Sequence, residues 1–255
     1  MMLRDAISGC LFALLIGAKV ILFAPAPPPH YELGVPSPIV RLERTGFTVL
    51  YDQRLRQPAA TIEYLDHRTI GGHNPRPDVF GTDRDISEPW RIAPDDYRGS
   101  GFDRGHVAAA GNYKGNVEGA RQSMLMSNIS PQRATMNRGP WKAVESHIRE
   151  RVTEAGCKAW IVTAPLWLPD SKGECLTRFV HGEIPVPSHF GKAVVIEKYG
   201  ELEAAAWIVP NVDKAPAVDA ADFYRVSVDS FERAAGIDCF ALLDDGDEVR
   251  LEAER

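Results

Sequence analysis

Seven polar residues between positions 103 and 145 have the types needed to hydrolyse a phosphodiester. In chain order they are Asp103, Arg104, His106, Asn128, Gln132, Asn137 and Glu145. Such a reaction needs a base that activates water, and histidine is the side chain whose ordinary pKa suits that role near neutral pH. It also needs a divalent cation near the leaving oxygen and cationic side chains that neutralise the remaining phosphate charge. The segment contains a candidate for each role.

His106 is the candidate base. Arg104 lies two residues earlier, so strand alternation predicts that the two side chains share one face. The amide oxygen of Asn137 is a hard ligand that suits Mg²⁺, an ion that keeps many of its own waters. Glu145 follows Asn137 by eight residues, roughly two helical turns, and could accept hydrogen bonds from metal-bound water.

The approach to this histidine is rich in glycine. In the stretch "YRGSGFDRGHVAAAGN", residues 97–112, glycines at 99, 101 and 105 would let the backbone come close to a phosphate. The structural alternative is that Arg104 only forms an ion pair with Asp103.

The other candidates also have structural alternatives. Asn128, close before Pro131, could build a turn. Asn137 could only cap a helix, and Glu145 could be one half of a surface pair with Arg149. Taken singly, each alternative is the better interpretation. Taken together, in this order within about forty residues, the residues indicate one chemical site.

The six other histidines are weaker candidates. His147 lies on a predicted helix, but only two residues from Glu145, so it should face elsewhere. The rest are expected in the linker, in loops or exposed on the surface, and they are His30, His67, His73, His181 and His189.

Apolar runs of strand length surround the polar segment. Predicted strands cover residues 47–52, 60–66, 159–167, 192–198 and 204–211, with "CFALL" (239–243) near the end and short extended pieces at 102–108 and 123–130. Residues 71–96, rich in Gly, Pro, Asp and Arg, should be mostly loop. The pattern predicts an α+β domain around a mainly antiparallel sheet.

A helix is predicted from residue 137 to Gly156, with Pro140 in its first turn. Its apolar face repeats at helical spacing, through Trp141, Val144, Ile148 and Val152. A second, short capped helix is expected over 229–236.

The formal net charge of −6 does not by itself suggest a nucleic-acid binder, but the charge is unevenly distributed. Residues 41–151 carry 17 basic and 14 acidic side chains, whereas 152–255 carry 10 and 19. Arginine supplies 15 of those 17, and its planar fork suits phosphate oxygens. A solvated surface with an accidental arginine bias is the alternative.

Four cysteines, at 10, 157, 175 and 239, have no C-x-x-C spacing, which argues against a zinc site. Three of them fall in the expected folded part, so it can hold at most one internal disulfide. The redox compartment is left open.

Residues 6–24 are apolar except for Ser8 and Lys19, and "PAPPP" ends the run. The length is near that of a bilayer span, which favours an uncleaved anchor or targeting segment. A buried core helix and a cleaved signal peptide are the alternatives. A Pro-rich linker follows to about Ser37, so we predict a targeting segment over 1–37 and one enzymatic domain over 38–255.

Three motifs carry a family resemblance. "DRGH" (103–106), "SNISPQ" (127–132) and "NRGPWKAVE" (137–145) resemble the DNA/RNA non-specific endonucleases, a ββα-metal (His-Me finger) family. The string at 97–112, "TAPLWLP" (163–169) and "IPVPSHFGKAVV" (184–195) look closer to the endonuclease G branch. The resemblance runs from about Tyr51 to about Ala241.

The resemblance implies a ββα-metal nuclease fold, with a mainly antiparallel central sheet flanked by helices. It implies a Mg²⁺-dependent endonuclease, with Mn²⁺ as a substitute, that cleaves DNA and RNA to 5′-phosphate products. His106 would be the general base, Asn137 the metal ligand and Glu145 the residue that holds a metal-bound water.

The resemblance also assigns supporting roles. Arg104 would contact phosphate, and Asn128 and Gln132 would support the geometry. The family uses a further upstream arginine, for which Arg68, Arg76 and Arg84 compete, with Arg76 favoured. Two more residues of the motifs are candidates for substrate contact, namely Asp103 and Arg138.

The family is commonly dimeric and kept from its host's genome, so we expect a homodimer and a membrane-anchored or exported protein. The compartment would be mitochondrial, at the intermembrane space or inner membrane, or the bacterial periplasm. A catalytically silent, membrane-tethered nucleic-acid-binding subunit of the same fold is the alternative. Competent residues at every proposed catalytic position argue against it. A chiefly exonucleolytic or single-strand activity is a third possibility.

Overall fold

The computed structural model describes residues 39–75, 77–153, 156–170, 178–214 and 220–239, together with the backbone of 21–22. Thirteen strands are assigned within these ranges. They are β1 (Ile21–Leu22), β2 (Ile39–Arg44), β3 (Phe47–Asp52), β4 (Gln57–Asp66), β5 (Asp103–His106), β6 (Ile129–Gln132), β7 (Cys157–Leu166), β8 (Arg178–Val180), β9 (Ile184–Val186), β10 (His189–Lys198), β11 (Glu201–Pro210), β12 (Arg225–Val226) and β13 (Ile237–Asp238).

The helices are short. They are α1 (His67–Ile70), α2 (Val117–Ser123), α3 (Ala134–Met136), α4 (Lys142–Val152), α5 (Ala220–Phe223) and α6 (Val228–Ala235). A π-helical turn over Asn137–Trp141 joins α3 to α4. Tight 3₁₀ turns occur at Pro94–Tyr97, Ala110–Tyr113 and Met126–Asn128.

A seven-stranded antiparallel sheet forms the centre, in the order β12-β11-β10-β7-β4-β3-β2. Successive side chains on a strand point to opposite faces, so each strand contributes to two cores. On one face, Val144, Ile148 and Val152 of α4 pack in a cluster that includes Val194. On the other face, Phe231 of α6 packs in a cluster that includes Val195. The sheet therefore carries α4, the helix of the polar motif, as one of its two covering layers.

The polar motif itself forms a separate strand–strand–helix unit. Strands β5 and β6 pair antiparallel, with Asp103 opposite Gln132 and His106 opposite Ile129. The chain then enters α3, the π turn and α4. This pairing brings the first and second motifs side by side and leads directly into the third.

Most predicted strands are confirmed, but three local predictions were wrong. Residues 123–128 do not form a strand, because Ser123 ends α2 and a 3₁₀ turn over Met126–Asn128 precedes the short strand β6. The helix predicted from residue 137 begins with the π turn, because Gly139 has non-helical angles (φ −105°, ψ −109°) and Pro140 lacks an N–H. His189 opens β10 rather than lying in a loop. The edge strand β2 was not predicted.

The short capped helix is confirmed. Ser227 caps α6 by accepting from the Ser230 N–H, and Gly236 ends it in the left-handed conformation at φ 65°. In the predicted strand "CFALL", Cys239 follows β13, while residues 240–243 lie outside the described ranges. Cys157 and Cys239 are buried, and Cys175 also lies outside the described ranges.

The predicted anchor and linker, residues 1–37, lie outside the described residues except for the backbone of β1, which pairs with β13. Within the described residues, no helix combines the length and the apolar character that crossing a bilayer requires.

Candidate functional site

His106 lies at the end of β5 and is almost completely buried. Its Nε2 is 3.2 Å from the Met124 sulfur, and its ring centroid is 5.4 Å from that of Phe80. The Arg104 guanidinium carbon lies 4.7 Å from the same Phe80 ring centroid. Arg104 and His106 therefore share one face of the strand, as alternation predicted, and Arg104 stays exposed to solvent.

Gln132 supports the other side of this strand. It is fully buried, and its Nε2 donates a long hydrogen bond of 3.4 Å to the His106 carbonyl oxygen. An added Cβ on Gly105 would lie 2.1 Å from the Gln132 Cδ. Glycine is required at 105 because the Gln132 side chain occupies the space of a side chain there.

Replacing Gly105 by alanine is therefore expected to destabilise the unit. Overpacking of this kind lowers the free energy of unfolding by about 1–3 kcal/mol. Calorimetry should show a melting temperature several degrees below that of the parent. Gly81→Ala is the matched control, because a Cβ there meets only Leu125 Cδ2 at an ordinary 3.5 Å. Equal melting temperatures for the two variants would contradict this account.

Asn128 is fully buried, and both its Oδ1 and its Nδ2 form hydrogen bonds. Its Nδ2 donates to the carbonyls of Ala108 and Ser123, each at 2.9 Å, and its Oδ1 accepts from the Ala108 N–H at 2.9 Å. These bonds fix the chain immediately after His106 against the start of the second motif. The geometry is that of a positioning residue, since these three amide bonds all go to backbone.

The third motif meets β5 at Asp103. The Asn137 Nδ2 donates to Asp103 Oδ2 at 2.8 Å, and the Arg138 guanidinium makes a bidentate contact at 2.6 and 2.9 Å. Partial burial acts to raise the pKa of Asp103, but the hydrogen bonds from Arg138 and Asn137 outweigh it and hold the pKa below its ordinary value. Asp103 and Arg138, both candidates for substrate contact, are thus paired with each other.

This contact also orients the amide of Asn137. Because Nδ2 is used to donate to Asp103, Oδ1 points away from that carboxylate and can act as a metal ligand. In the described ranges, no three His, Cys, Asp or Glu side chains group as a metal cage. A single amide oxygen, completed by water and phosphate, fits the chemistry of Mg²⁺.

Glu145 lies on α4 and is mostly buried, with 15% of its side chain exposed. Its Oε2 is 3.9 Å from Arg149 NH1, so the predicted i,i+4 pair is present. Arg149 also donates to Asn112 Oδ1 at 3.2 Å and to Ser146 Oγ at 2.9 Å. The π turn means that the eight residues from Asn137 to Glu145 are not two regular helical turns.

The remaining candidates lie elsewhere. Arg76 lies outside the described residues. Arg68 is 81% exposed and lies 3.5 Å from Asp66, and Arg84 is exposed. His147 faces away from Glu145, with its ring 6.1 Å from that of Trp207, and His67 and His73 are exposed as expected.

Sequence reasoning missed several residues around the site. Phe80 and Met124 flank His106, and Glu63, Asn112 and Lys192 lie near Glu145 and Arg149. Two of these residues could have been found from the sequence, because each is a charge inside an apolar strand. They are Glu63 in "ATIEYLD" and Lys192 in "HFGKAVV". Buried charges are rare unless they are paired.

The sequence profile described as DNA/RNA non-specific endonuclease matches residues 26–246. This chain belongs to that family. The enzyme class expected from the sequence, an endonuclease, is thereby confirmed.

Named relatives agree with the assignment. Bovine mitochondrial endonuclease G is 30% identical over 213 residues, covering 81% of this chain and 71% of the relative. Mitochondrial nuclease 1 of Schizosaccharomyces pombe is 31% identical over 238 residues, covering 88% and 73%. Mouse mitochondrial nuclease EXOG is 32% identical over 216 residues, but this chain spans only 58% of its length.

A solved crystal structure of an EndoG/EndoGI complex contains a chain with the same fold. The TM-score is 0.73 at 28% identity, and the match covers 84% of this chain and 90% of that one. The ββα-metal nuclease fold expected from the sequence is confirmed by this match.

Proposed function

We propose that this member of the family is a Mg²⁺-dependent, sugar-non-specific endonuclease that hydrolyses DNA and RNA to 5′-phosphate products. One observation carries the proposal. The strand that ends in His106 begins at Asp103, whose carboxylate accepts a hydrogen bond from the Asn137 amide at 2.8 Å. A base and an oxygen ligand for a hard cation thereby lie on one short strand and on the π turn that contacts its first residue.

His106 takes a proton from the attacking water in this mechanism. Its Nε2 lies 3.2 Å from the Met124 sulfur, so the ring is held in place at the end of the strand. Arg104, exposed on the same face, neutralises charge on the phosphate. Glu145 orients water at the site, and Asn137 would hold the ion through Oδ1. When bound, Mg²⁺ would supply charge stabilisation to the phosphate and the leaving oxygen.

Phosphate contacts position nucleic acid without reading base identity, which agrees with a non-specific enzyme. None of the proposed groups distinguishes deoxyribose from ribose, so both nucleic acids are expected substrates. The relatives are named mitochondrial, which supports a compartment of that kind for this chain. The homodimer and membrane attachment through residues 1–37 remain predictions.

The test is to incubate the full-length protein with supercoiled plasmid and with structured RNA, with Mg²⁺ or with EDTA. We expect nicking and then fragmentation of the closed circle, and degradation of the RNA, only with Mg²⁺. Cutting should weaken steeply with salt, since binding to phosphates releases counterions.

Two outcomes would contradict the proposal. Binding without cutting, across several divalent metals, would indicate the catalytically silent relative. An intact closed circle beside degraded linear DNA would indicate an exonuclease, because an exonuclease needs an end.

A further inference from the structure

Four charged side chains lie together between the central sheet and α4. Glu63 in β4 and Lys192 in β10 have exposed fractions of 0% and 1%, with Lys192 Nζ 3.8 Å from Glu63 Oε2. Glu145 and Arg149 of α4 form the second pair, at 3.9 Å. The set holds two anions and two cations, so its formal charges cancel.

Asn112 joins the two pairs. Its Nδ2 donates to Glu63 Oε1 at 2.8 Å, and its Oδ1 accepts from Arg149 NH1 at 3.2 Å. The neighbouring Gly111 leaves room for this contact, because a Cβ there would lie 3.2 Å from the same NH1 atom. An unbroken chain of contacts therefore runs from Glu63 through Asn112 and Arg149 to Glu145.

Lys192 is held from three sides. Its Nζ donates to the Thr163 hydroxyl and lies 5.1 Å from the Trp141 ring centroid. Burial lowers its pKa, and the charges of both carboxylates act to raise it. Glu145 is one of those carboxylates, so the fields of the two pairs overlap.

The fourth member of the set, Arg149, acts to lower the pKa of Lys192. One further group faces the set. The Tyr113 hydroxyl donates to Glu63 Oε1 at 2.8 Å, and burial raises its pKa well above the ordinary value, so it stays neutral. A buried ion pair is rarely kept for stability alone, because an apolar pair of similar volume is often as stable.

We propose that Glu63 and Lys192 are positioning residues for Glu145. They act through the contacts made by Asn112 and Arg149. They also balance the charge around the Glu145 carboxylate. The inference rests on the proposed function, since Glu145 orients water only if the chain is a nuclease.

The test compares Lys192→Met with Glu63→Gln in the full-length protein. Each should lower kcat on plasmid about 10- to 100-fold with KM little changed, as for residues that orient catalytic groups. Lys192→Met leaves an excess negative charge, so the acidic limb of the kcat–pH profile should move to higher pH. Glu63→Gln leaves an excess positive charge, so the limb should move to lower pH.

A second measurement does not depend on turnover. Carbon-13 NMR of metal-free protein, assigned with Glu145→Gln, should show the Glu145 pKa raised in Lys192→Met and lowered in Glu63→Gln. The double variant, Lys192→Met with Glu63→Gln, restores charge balance and keeps a side-chain oxygen that can accept from Asn112. Its kcat and the acidic limb of its kcat–pH profile should therefore return toward those of the parent.

The matched controls are Lys158→Met and Glu197→Gln. This pair joins the neighbouring strands β7 and β10 of the same sheet, at 3.1 Å, but lies partly exposed and outside the network. Both controls should leave the pH limb unmoved. If the buried variants do not fold, Asn112→Ser breaks the link while keeping every charge, and it should lower kcat about tenfold.

The inference would be overturned if Lys192→Met and Glu63→Gln folded and kept the parental kcat. It would also be overturned if their acidic limbs in the kcat–pH profile moved in the same direction. Either result would leave the proposed function intact. Unchanged kcat in Asn112→Ser would overturn the inference in the same way. If the unaltered protein itself fails to cut nucleic acid with Mg²⁺, the proposed function fails and this inference fails with it.

Discussion

Replacing His106 by alanine is expected to lower kcat on supercoiled plasmid about 100- to 10,000-fold, the usual contribution of a general base. His106 is the histidine that stands at the end of the motif strand, with Arg104 on the same face and Phe80 against both. The alanine variant loses the group that accepts the water's proton but keeps Arg104 and Asn137. Its binding to plasmid, measured by gel shift with Mg²⁺ present, should stay within a few-fold of the parent.

His67→Ala is the matched control, because His67 is exposed on α1 and is not assigned to the site. It should cut plasmid at the parental rate. A folded His106→Ala variant that retained full activity would remove His106 from the mechanism, whatever its effect on stability.

Replacing Asn137 by alanine is expected to lower kcat about 1,000-fold, because a bound metal contributes several kcal/mol of transition-state charge stabilisation. The variant removes the proposed ligand oxygen and also the 2.8 Å bond to Asp103. The Mg²⁺ concentration for half-maximal activity should rise, and calorimetric titration of metal-free protein should show weaker Mg²⁺ binding. Arg138 still holds Asp103, so the strand should keep its place.

Asn137→Asp separates the two roles of this side chain. It keeps an oxygen ligand, but it replaces the donor to Asp103 by a second carboxylate at the same place, so like charges repel. We expect it to be as impaired as the alanine variant. The control is Asn74→Ala, whose amide bonds only to the Lys114 carbonyl, at 2.8 Å. An Asn137→Ala variant with unchanged Mg²⁺ dependence would contradict the assignment of the ligand.

Much of the candidate site could be predicted from the sequence because it is local. His106 and Arg104 share a face through strand alternation alone. The 3.6-residue period placed Val144, Ile148 and Val152 inward, and all three are buried. The order of the motifs predicted the remaining proximity, because two paired strands followed by a helix bring their three segments together.

Secondary-structure prediction from local sequence patterns failed where two conformations compete for the same residues. The apolar segment at 123–128 satisfied a strand pattern, yet its polar groups bond to nearby backbone, as when the Ser123 hydroxyl donates to the Ala120 carbonyl. In the third motif, Gly139 and Pro140 allowed a π turn where the apolar period alone indicated a regular helix.

By itself, the sequence determined the family of this protein and predicted its chemistry, through the residue types and spacing of motifs within one short segment. Only the tertiary structure decided what supports them. Glu63 meets Asn112 across 49 positions of the chain. Lys192 reaches Glu63 only through the pairing of β10 with β7 and of β7 with β4. Strand order and sheet–helix packing arise from burying apolar surface across the whole domain, so no local pattern specifies which buried charges will meet.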